Sequence, residues 1–108
     1  MFFKQFYDNK LSQASYLIGC QRTGEAMIID PVRDLSKYIE VADDEGFTST
    51  KAAETHIHAD FASGIRDAAE RLNAQVYVSA EGGEQFGYKN MPENTTFVKD
   101  HDHIDVGN

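Results

Sequence analysis

The sequence has little of several features that would point directly to a location or a partner. It has one cysteine, Cys20, so no disulfide can form within the chain, which suits a reducing compartment. No apolar run approaches the length that crosses a bilayer, and the N-terminus lacks a basic region followed by a long apolar stretch. We therefore expect a cytoplasmic protein with no membrane segment and no secretory signal.

Basic residues are also few. Ten lysines and arginines stand against eighteen aspartates and glutamates, which gives a net charge of −8. A surface of this sign repels a phosphate backbone, so nucleic acid is not an expected partner. With 108 residues, of which 41% are hydrophobic, the chain is long enough to form one small folded domain.

The sequence alternates short strand-like segments with two helical patterns. A helix with an apolar stripe is predicted between an N-cap at Asp34 and a C-cap at Gly46, and a second over 62–72 that Asn73 closes. Strands are predicted at 2–7 (an edge strand), 14–20, 25–30, 51–55, 75–80, 95–99 and from 104. This order favours an α/β fold in which helices pack against a sheet. Because the chain stops just after a strand start, residues 1–108 are expected to be the N-terminal portion of a longer domain.

The most informative segment is 55–61, Thr-His-Ile-His-Ala-Asp-Phe, which follows a predicted strand. His56, His58 and Asp60 stand at every second position, and an extended segment would place their side chains on the same side. Imidazole and carboxylate are ligands that zinc or ferrous iron prefers, and open α/β sheets bind ligands at the C-terminal ends of strands. We interpret His56 and His58 as candidate metal ligands and Asp60 as a candidate catalytic residue. The alternative is two hydrogen-bonding surface histidines, with the aspartate capping the next helix.

A second His-x-His pair occurs near the end of the chain. His101 and His103 alternate with aspartates, a combination that attracts metal ions at high concentration. The pair lies in a polar stretch between two short apolar runs, and such stretches are typical of solvated loops. We therefore interpret it as a loop rather than as a metal site.

Several segments resemble the metallo-β-lactamase superfamily. Segment 55–64 resembles its His-x-His-x-Asp-His motif, and segment 24–31 resembles the strand and Asp-Pro turn that precede the motif. Segments 2–7, 15–19 and 54–64 resemble more closely the N-terminal part of bacterial persulfide dioxygenase–rhodanese fusion proteins, and this likeness covers essentially the whole chain. The resemblance implies the N-terminal half of an αββα sandwich, with a mixed sheet and helices packed on it.

The motif departs from the superfamily pattern at one position. Phe61 replaces the last histidine and cannot bind a metal, which argues for one metal ion rather than two zinc ions. The resemblance implies a single ferrous iron held by two histidines and an aspartate, with His56 as one ligand and the others beyond Asn108. His58 and Asp60 would then orient ligands through hydrogen bonds, whereas in the dinuclear pattern His58 would also bind metal.

The resemblance implies an enzyme that oxidises a low-molecular-weight thiol persulfide with dioxygen towards sulfite or thiosulfate. The 108 residues alone are not expected to be a competent dioxygenase. One alternative is a zinc-dependent, glyoxalase II-like thioester hydrolase, and another is a non-catalytic α/β module that retains the motif. The expected partners are the persulfide and dioxygen, and the exposed apolar surface of a half-domain favours a homo-oligomer.

Overall fold

The computed structural model describes residues 1–9, 13–32, 34–55, 64–79, 95–98, 104 and 106. These residues form six strands and two helices, in the alternating order that the sequence predicts. The elements are β1 (Phe2–Asp8), β2 (Gln13–Cys20), β3 (Glu25–Ile29), α1 (Ser36–Glu45), β4 (Thr48–Ala53), α2 (Ile65–Arg71), β5 (Gln75–Ser79) and β6 (Thr95–Val98). Neither of these helices is long and apolar enough to cross a membrane.

The strands form one mixed sheet whose spatial order, β1 to β6, is the order of the chain. The pairs β1–β2 and β2–β3 are antiparallel, and the turn between β2 and β3 uses Gly24 at a φ of 77°. The remaining pairs are parallel, with α1 connecting β3 to β4 and α2 connecting β4 to β5. Because β3 and β4 are parallel, their C-terminal ends lie at the same edge of the sheet.

Both helices pack on one face of the sheet, where they bury the main core. The sequence predicts a stripe of Leu35, Tyr38, Ile39 and Ala42 for α1. Leu35 and Tyr38 are 0% exposed, Ala42 is 3% exposed, and Ile39 is partly buried against the same core. Removal of this apolar surface from water is the main favourable contribution to folding. The strand residues of the same core alternate along the chain, as a strand requires: Leu17, Ala26, Ile28, Ala52, Val76 and Val78.

In the described part of the chain, neither α1 nor α2 covers the opposite face of the sheet, and side chains of β1 on this face are exposed. Phe3 of β1 is 62% exposed, and its ring contacts Tyr16 with the centroids 5.6 Å apart. Ile18, Ile29 and Tyr77 continue this face across the sheet and are half-buried. The result is an aromatic and aliphatic surface, which we call the open face.

Three predicted element starts are wrong. Helix α1 begins at Ser36 with Leu35 as its N-cap, so Asp34 lies outside the helix, and α2 begins at Ile65 rather than at 62. Strand β4 begins at Thr48, because its polar first residues pair with β3. The C-cap of α1 was predicted correctly, as Gly46 has a φ of 78°. Asn73 has the predicted left-handed conformation, with a φ of 52°, but α2 ends at Arg71 and its C-cap is Leu72.

Predicted strand ends also differ from the structure, and β4 ends at Ala53 rather than at 55. Strand β3 ends at Ile29, because Asp30 has a left-handed φ of 53° that a strand does not accommodate. Near the end of the chain, Ile104 and Val106 are not in a strand, so the strand predicted from 104 is wrong at these two residues.

Candidate metal centre

The sequence places the candidate site just after β4, whose C-terminal end lies at the same edge of the sheet as that of β3. His56, His58 and Asp60 fall outside the residues that the structure describes, as do His101 and His103. The part of the chain that is described contains no group of three or more His, Cys, Asp or Glu side chains able to hold a metal ion. What the structure does show is how the chain is fixed immediately before and after segment 56–63, the predicted metal segment.

Asp30 fixes the residue that precedes His56. Its side chain is buried, at 3% exposure, and the Thr55 amide donates a hydrogen bond to Oδ1 at 2.7 Å. The Thr55 hydroxyl donates to Oδ2 at 2.5 Å, and the Asp30 amide donates to the carbonyl oxygen of Ala53 at 2.8 Å. Hydrogen bonds to a carboxylate are among the stronger ones in proteins. Asp30 therefore ties the end of β3 to the entry of the predicted metal segment.

The backbone of Asp30 supports this role. Its φ of 53° is left-handed, a conformation that aspartate and asparagine adopt more readily than other non-glycine residues. Pro31 follows and lacks an amide donor, so no ladder hydrogen bond can extend β3 there. The chain therefore turns away from the sheet at the position where the carboxylate reaches Thr55.

Gly64 fixes the other end of segment 56–63. Its amide donates to the carbonyl oxygen of Pro31 at 2.8 Å. A Cβ at this position would lie 2.2 Å from the carbonyl oxygen of Val32, so the close approach requires glycine. The loop 30–32 thus contacts the chain on both sides of the predicted metal segment.

A buried tyrosine supports this loop. The Tyr38 hydroxyl accepts a hydrogen bond from the Val32 amide at 2.9 Å and shares another, of 2.7 Å, with the Ser15 hydroxyl. The Tyr38 ring packs edge-on against Phe6, with the centroids 4.9 Å apart. The sequence shows Tyr38 only as a member of an apolar stripe, and nothing in it connects the hydroxyl with Ser15, which is 23 residues away.

The chemistry of the donor set fits a divalent metal ion. Two imidazoles and a carboxylate are ligands for borderline ions such as zinc and ferrous iron. Two buried acidic residues lie near the start of the segment, Asp30 at 3% exposure and Glu54 at 6%. Glu54 precedes Thr55 in the sequence, and Asp30 contacts Thr55 through hydrogen bonds. The loop 30–32 in addition holds the residues on either side of the donors, as a preorganised site requires.

Comparison with known proteins gives one family match and several similar solved structures. The family profile described as "Metallo-beta-lactamase superfamily" matches residues 8–105. The metallo-beta-lactamase of Staphylococcus aureus subsp. aureus COL is 73% identical with a TM-score of 0.93, over 100% of this chain and 32% of that one. ETHE1 from Myxococcus xanthus is 30% identical with a TM-score of 0.82, over 99% of this chain and 44% of that one.

A third structure shows similarity of fold alone. The BLEG-1 B3 metallo-beta-lactamase is 23% identical with a TM-score of 0.61, over 75% of this chain and 38% of that one. No curated protein matches. The chain spans about a third of the length of the S. aureus structure and less than half of the other two.

The profile match extends over nearly all of the chain, including both sides of segment 56–63. Proteins with this fold generally bind divalent metal ions, which agrees with the donor set in that segment. The mixed sheet, the helices on one of its faces and the His-x-His-x-Asp sequence after β4 therefore have one explanation. The chain belongs to the metallo-β-lactamase superfamily.

Proposed function

We propose that this chain is the N-terminal part of an iron-dependent persulfide dioxygenase. The observation that carries the proposal is the likeness to ETHE1, a persulfide dioxygenase, at 30% identity over 99% of the chain. Phe61 supports it, because a site without the last histidine of the motif favours one metal ion over two. The proposed substrates are a low-molecular-weight thiol persulfide and dioxygen, and the proposed location is the cytoplasm. A rhodanese module following this domain remains a prediction.

In this proposal the residues of the chain hold and orient a metal ion. An imidazole nitrogen of His56 binds the metal ion. His58 and Asp60 either bind the ion as well or orient the other ligands by hydrogen bonds. Ferrous iron, when bound, supplies the open coordination positions at which dioxygen and a persulfide sulfur can react. Asp30 and Gly64 restrain the ends of the segment, so that the donors need little reorganisation.

A second candidate is a zinc-dependent hydrolase. The observation that favours it is the name of the 73% identical S. aureus protein, a metallo-beta-lactamase. The same imidazoles would then hold zinc, and the substrate would be a thioester of the kind that glyoxalase II-like enzymes cleave. The two candidates share their ligands and differ in metal and reaction.

Metal analysis and oxygen uptake separate these candidates. The protein containing this chain is purified without oxygen, its iron and zinc are quantified, and oxygen consumption is followed with glutathione persulfide. We expect iron and persulfide-dependent oxygen uptake, and the 108-residue chain alone is expected to consume no oxygen. Zinc with thioester hydrolysis and no oxygen uptake would support the hydrolase instead.

Two histidine variants provide the matched comparison. His56→Ala should lower the metal affinity by about tenfold or more, because it removes a proposed ligand. His101→Ala, which removes a histidine from the other His-x-His pair, should leave the metal content unchanged. Equal metal content in both variants and in the parent protein would refute the proposed site.

A further inference from the structure

We propose that Tyr38 and Ser15 are positioning residues for the candidate metal centre, although they lie in the core between α1 and β2. Their hydroxyls hold the loop 30–32, and this loop holds the chain on both sides of the predicted metal segment. The functional part of the inference rests on the proposed metal-binding role of His56. Its structural part concerns the protein without metal and is tested separately.

The first step is that one loop anchors both ends of the segment. Asp30 accepts two hydrogen bonds from Thr55, and the carbonyl oxygen of Pro31 accepts one from the amide of Gly64. Asp30 and Pro31 are adjacent, so a displacement of the loop alters both contacts together. The position of the loop therefore determines the positions of Thr55 before the segment and of Gly64 after it.

The second step is that the Tyr38 hydroxyl determines the position of the loop. It accepts the hydrogen bond of the Val32 amide, at 2.9 Å, in a region where Val32 is 6% exposed and Tyr38 is 0% exposed. Ser15, 1% exposed, holds the same hydroxyl from the sheet at 2.7 Å. Without the tyrosine hydroxyl, the Val32 amide and the Ser15 hydroxyl lose this shared buried partner. A buried donor without a partner costs free energy, which favours a shift of the loop.

The third step is that Tyr38 is itself held firmly. Its ring lies in the main core and packs against Phe6 of β1, while its backbone belongs to α1. A buried aromatic ring in a close-packed core has little freedom to move. The packing of α1 on β1 and β2 thus sets the position of one oxygen atom, and through it the position of the loop.

The structural part is tested by amide hydrogen exchange on the metal-free protein that contains this chain. Tyr38→Phe removes the hydroxyl and keeps the ring, and Tyr16→Phe makes the same change on the open face as a control. We expect exchange at the Thr55 and Gly64 amides to accelerate about tenfold in Tyr38→Phe, while the core amides of Leu17 and Ile28 stay unchanged. Unchanged exchange at Thr55 and Gly64 would overturn the inference.

The functional part is tested with cobalt(II), whose visible spectrum reports ligand geometry. In the protein that contains this chain, we expect Tyr38→Phe to bind cobalt about tenfold more weakly than the parent protein and with a shifted spectrum, which a loss of overall stability alone would not produce. Tyr16→Phe should bind like the parent protein. Faster exchange with unchanged cobalt affinity and spectrum would overturn the positioning role.

Failure of the proposed function gives a different result. If the protein that contains this chain binds no cobalt, or if its His56→Ala variant binds cobalt equally well, the metal-binding role of His56 is wrong and the positioning role falls with it. The exchange experiment still decides whether Tyr38 holds the loop. Should Tyr38→Phe fail to fold, Ser15→Ala, which removes only the second hydroxyl, is expected to give a smaller change in the same direction in both measurements.

Discussion

At the scale of single residues, Gly64 shows how closely the chain after the predicted metal segment approaches the loop 30–32. A Cβ there would meet a backbone oxygen at 2.2 Å and the Cδ2 atom of Leu35 at 2.8 Å. The backbone oxygen belongs to the loop 30–32 and cannot rotate away as a side chain could. Gly64→Ala should therefore lower the free energy of unfolding by about 2–3 kcal/mol, within the range for overpacked sites, as measured by urea unfolding.

Gly46→Ala is the matched control for this prediction. Gly46 has a left-handed φ of 78°, but a Cβ there would meet nothing within 4 Å. Gly46→Ala should therefore lower the free energy of unfolding through backbone conformation alone, by about 1 kcal/mol. A loss at Gly64 no larger than the loss at Gly46 would contradict the steric explanation.

At the scale of the element, the start of α1 depends on a carboxylate outside the helix. The Ser36 hydroxyl and amide donate hydrogen bonds to Asp34 at 2.7 and 3.0 Å, and they hold the pKa of that carboxyl below its usual range. A lowered pKa means that the stabilisation is present above the ordinary aspartate range and is lost as the pH falls through the lowered value.

Thermal unfolding as a function of pH tests this account. We expect Asp34→Asn to melt at a lower temperature than the parent chain at neutral pH, and we expect the difference to shrink as the pH falls below about 4. Asp44→Asn removes a carboxylate near the C-terminal end of the same helix, where negative charge is unfavourable, and should not lower the melting temperature. A constant difference between Asp34→Asn and the parent across the pH range would rule out the titration of Asp34 as the cause.

The elements were easier to predict from the sequence than the contacts that join them. The stripe of Leu35, Tyr38 and Ala42 gave α1, because a helix repeats its buried face every three to four residues. The polar start of β4 was missed, since Thr48 and its neighbours lie in a strand only through pairing with β3. Local pattern cannot supply that information.

The long-range contacts around the candidate site could not be predicted from local sequence pattern either. The sequence singled out His56, His58 and Asp60 by spacing alone, and it gave the Asp-Pro turn at position 30. The hydrogen bonds between Asp30 and Thr55 span 25 residues, and they form only because β3 and β4 are parallel neighbours. They follow from the sheet topology, which the spacing of residues does not specify.

At the scale of the whole molecule, the open face predicts self-association of the isolated chain. It combines the exposed Phe3 with half-buried Tyr16, Ile18 and Tyr77, and β1 is an edge strand of the sheet that the described residues form. Exposed apolar surface and an unpaired strand edge both favour contact between copies. We expect the average mass from sedimentation equilibrium to rise with protein concentration.

A charge on the open face should reverse this behaviour. Phe3→Lys adds a positive charge to the edge strand on that face and should shift the chain towards monomer. Phe97→Lys is the control, because Phe97 is also exposed, at 45%, but pairs with the core residue Val78 and so lies on the helical face. Equal effects of both substitutions would show that the open face is not the surface involved.

The order of the strands has a consequence for biosynthesis. Among the described strands, each pairs with its neighbours in the chain. The antiparallel pairs β1–β2 and β2–β3 need only short loop closures, which are associated with fast folding. Because translation delivers the N-terminal part first, β1, β2 and β3 can pair before α1 has left the ribosome, and each later strand then meets an edge already formed.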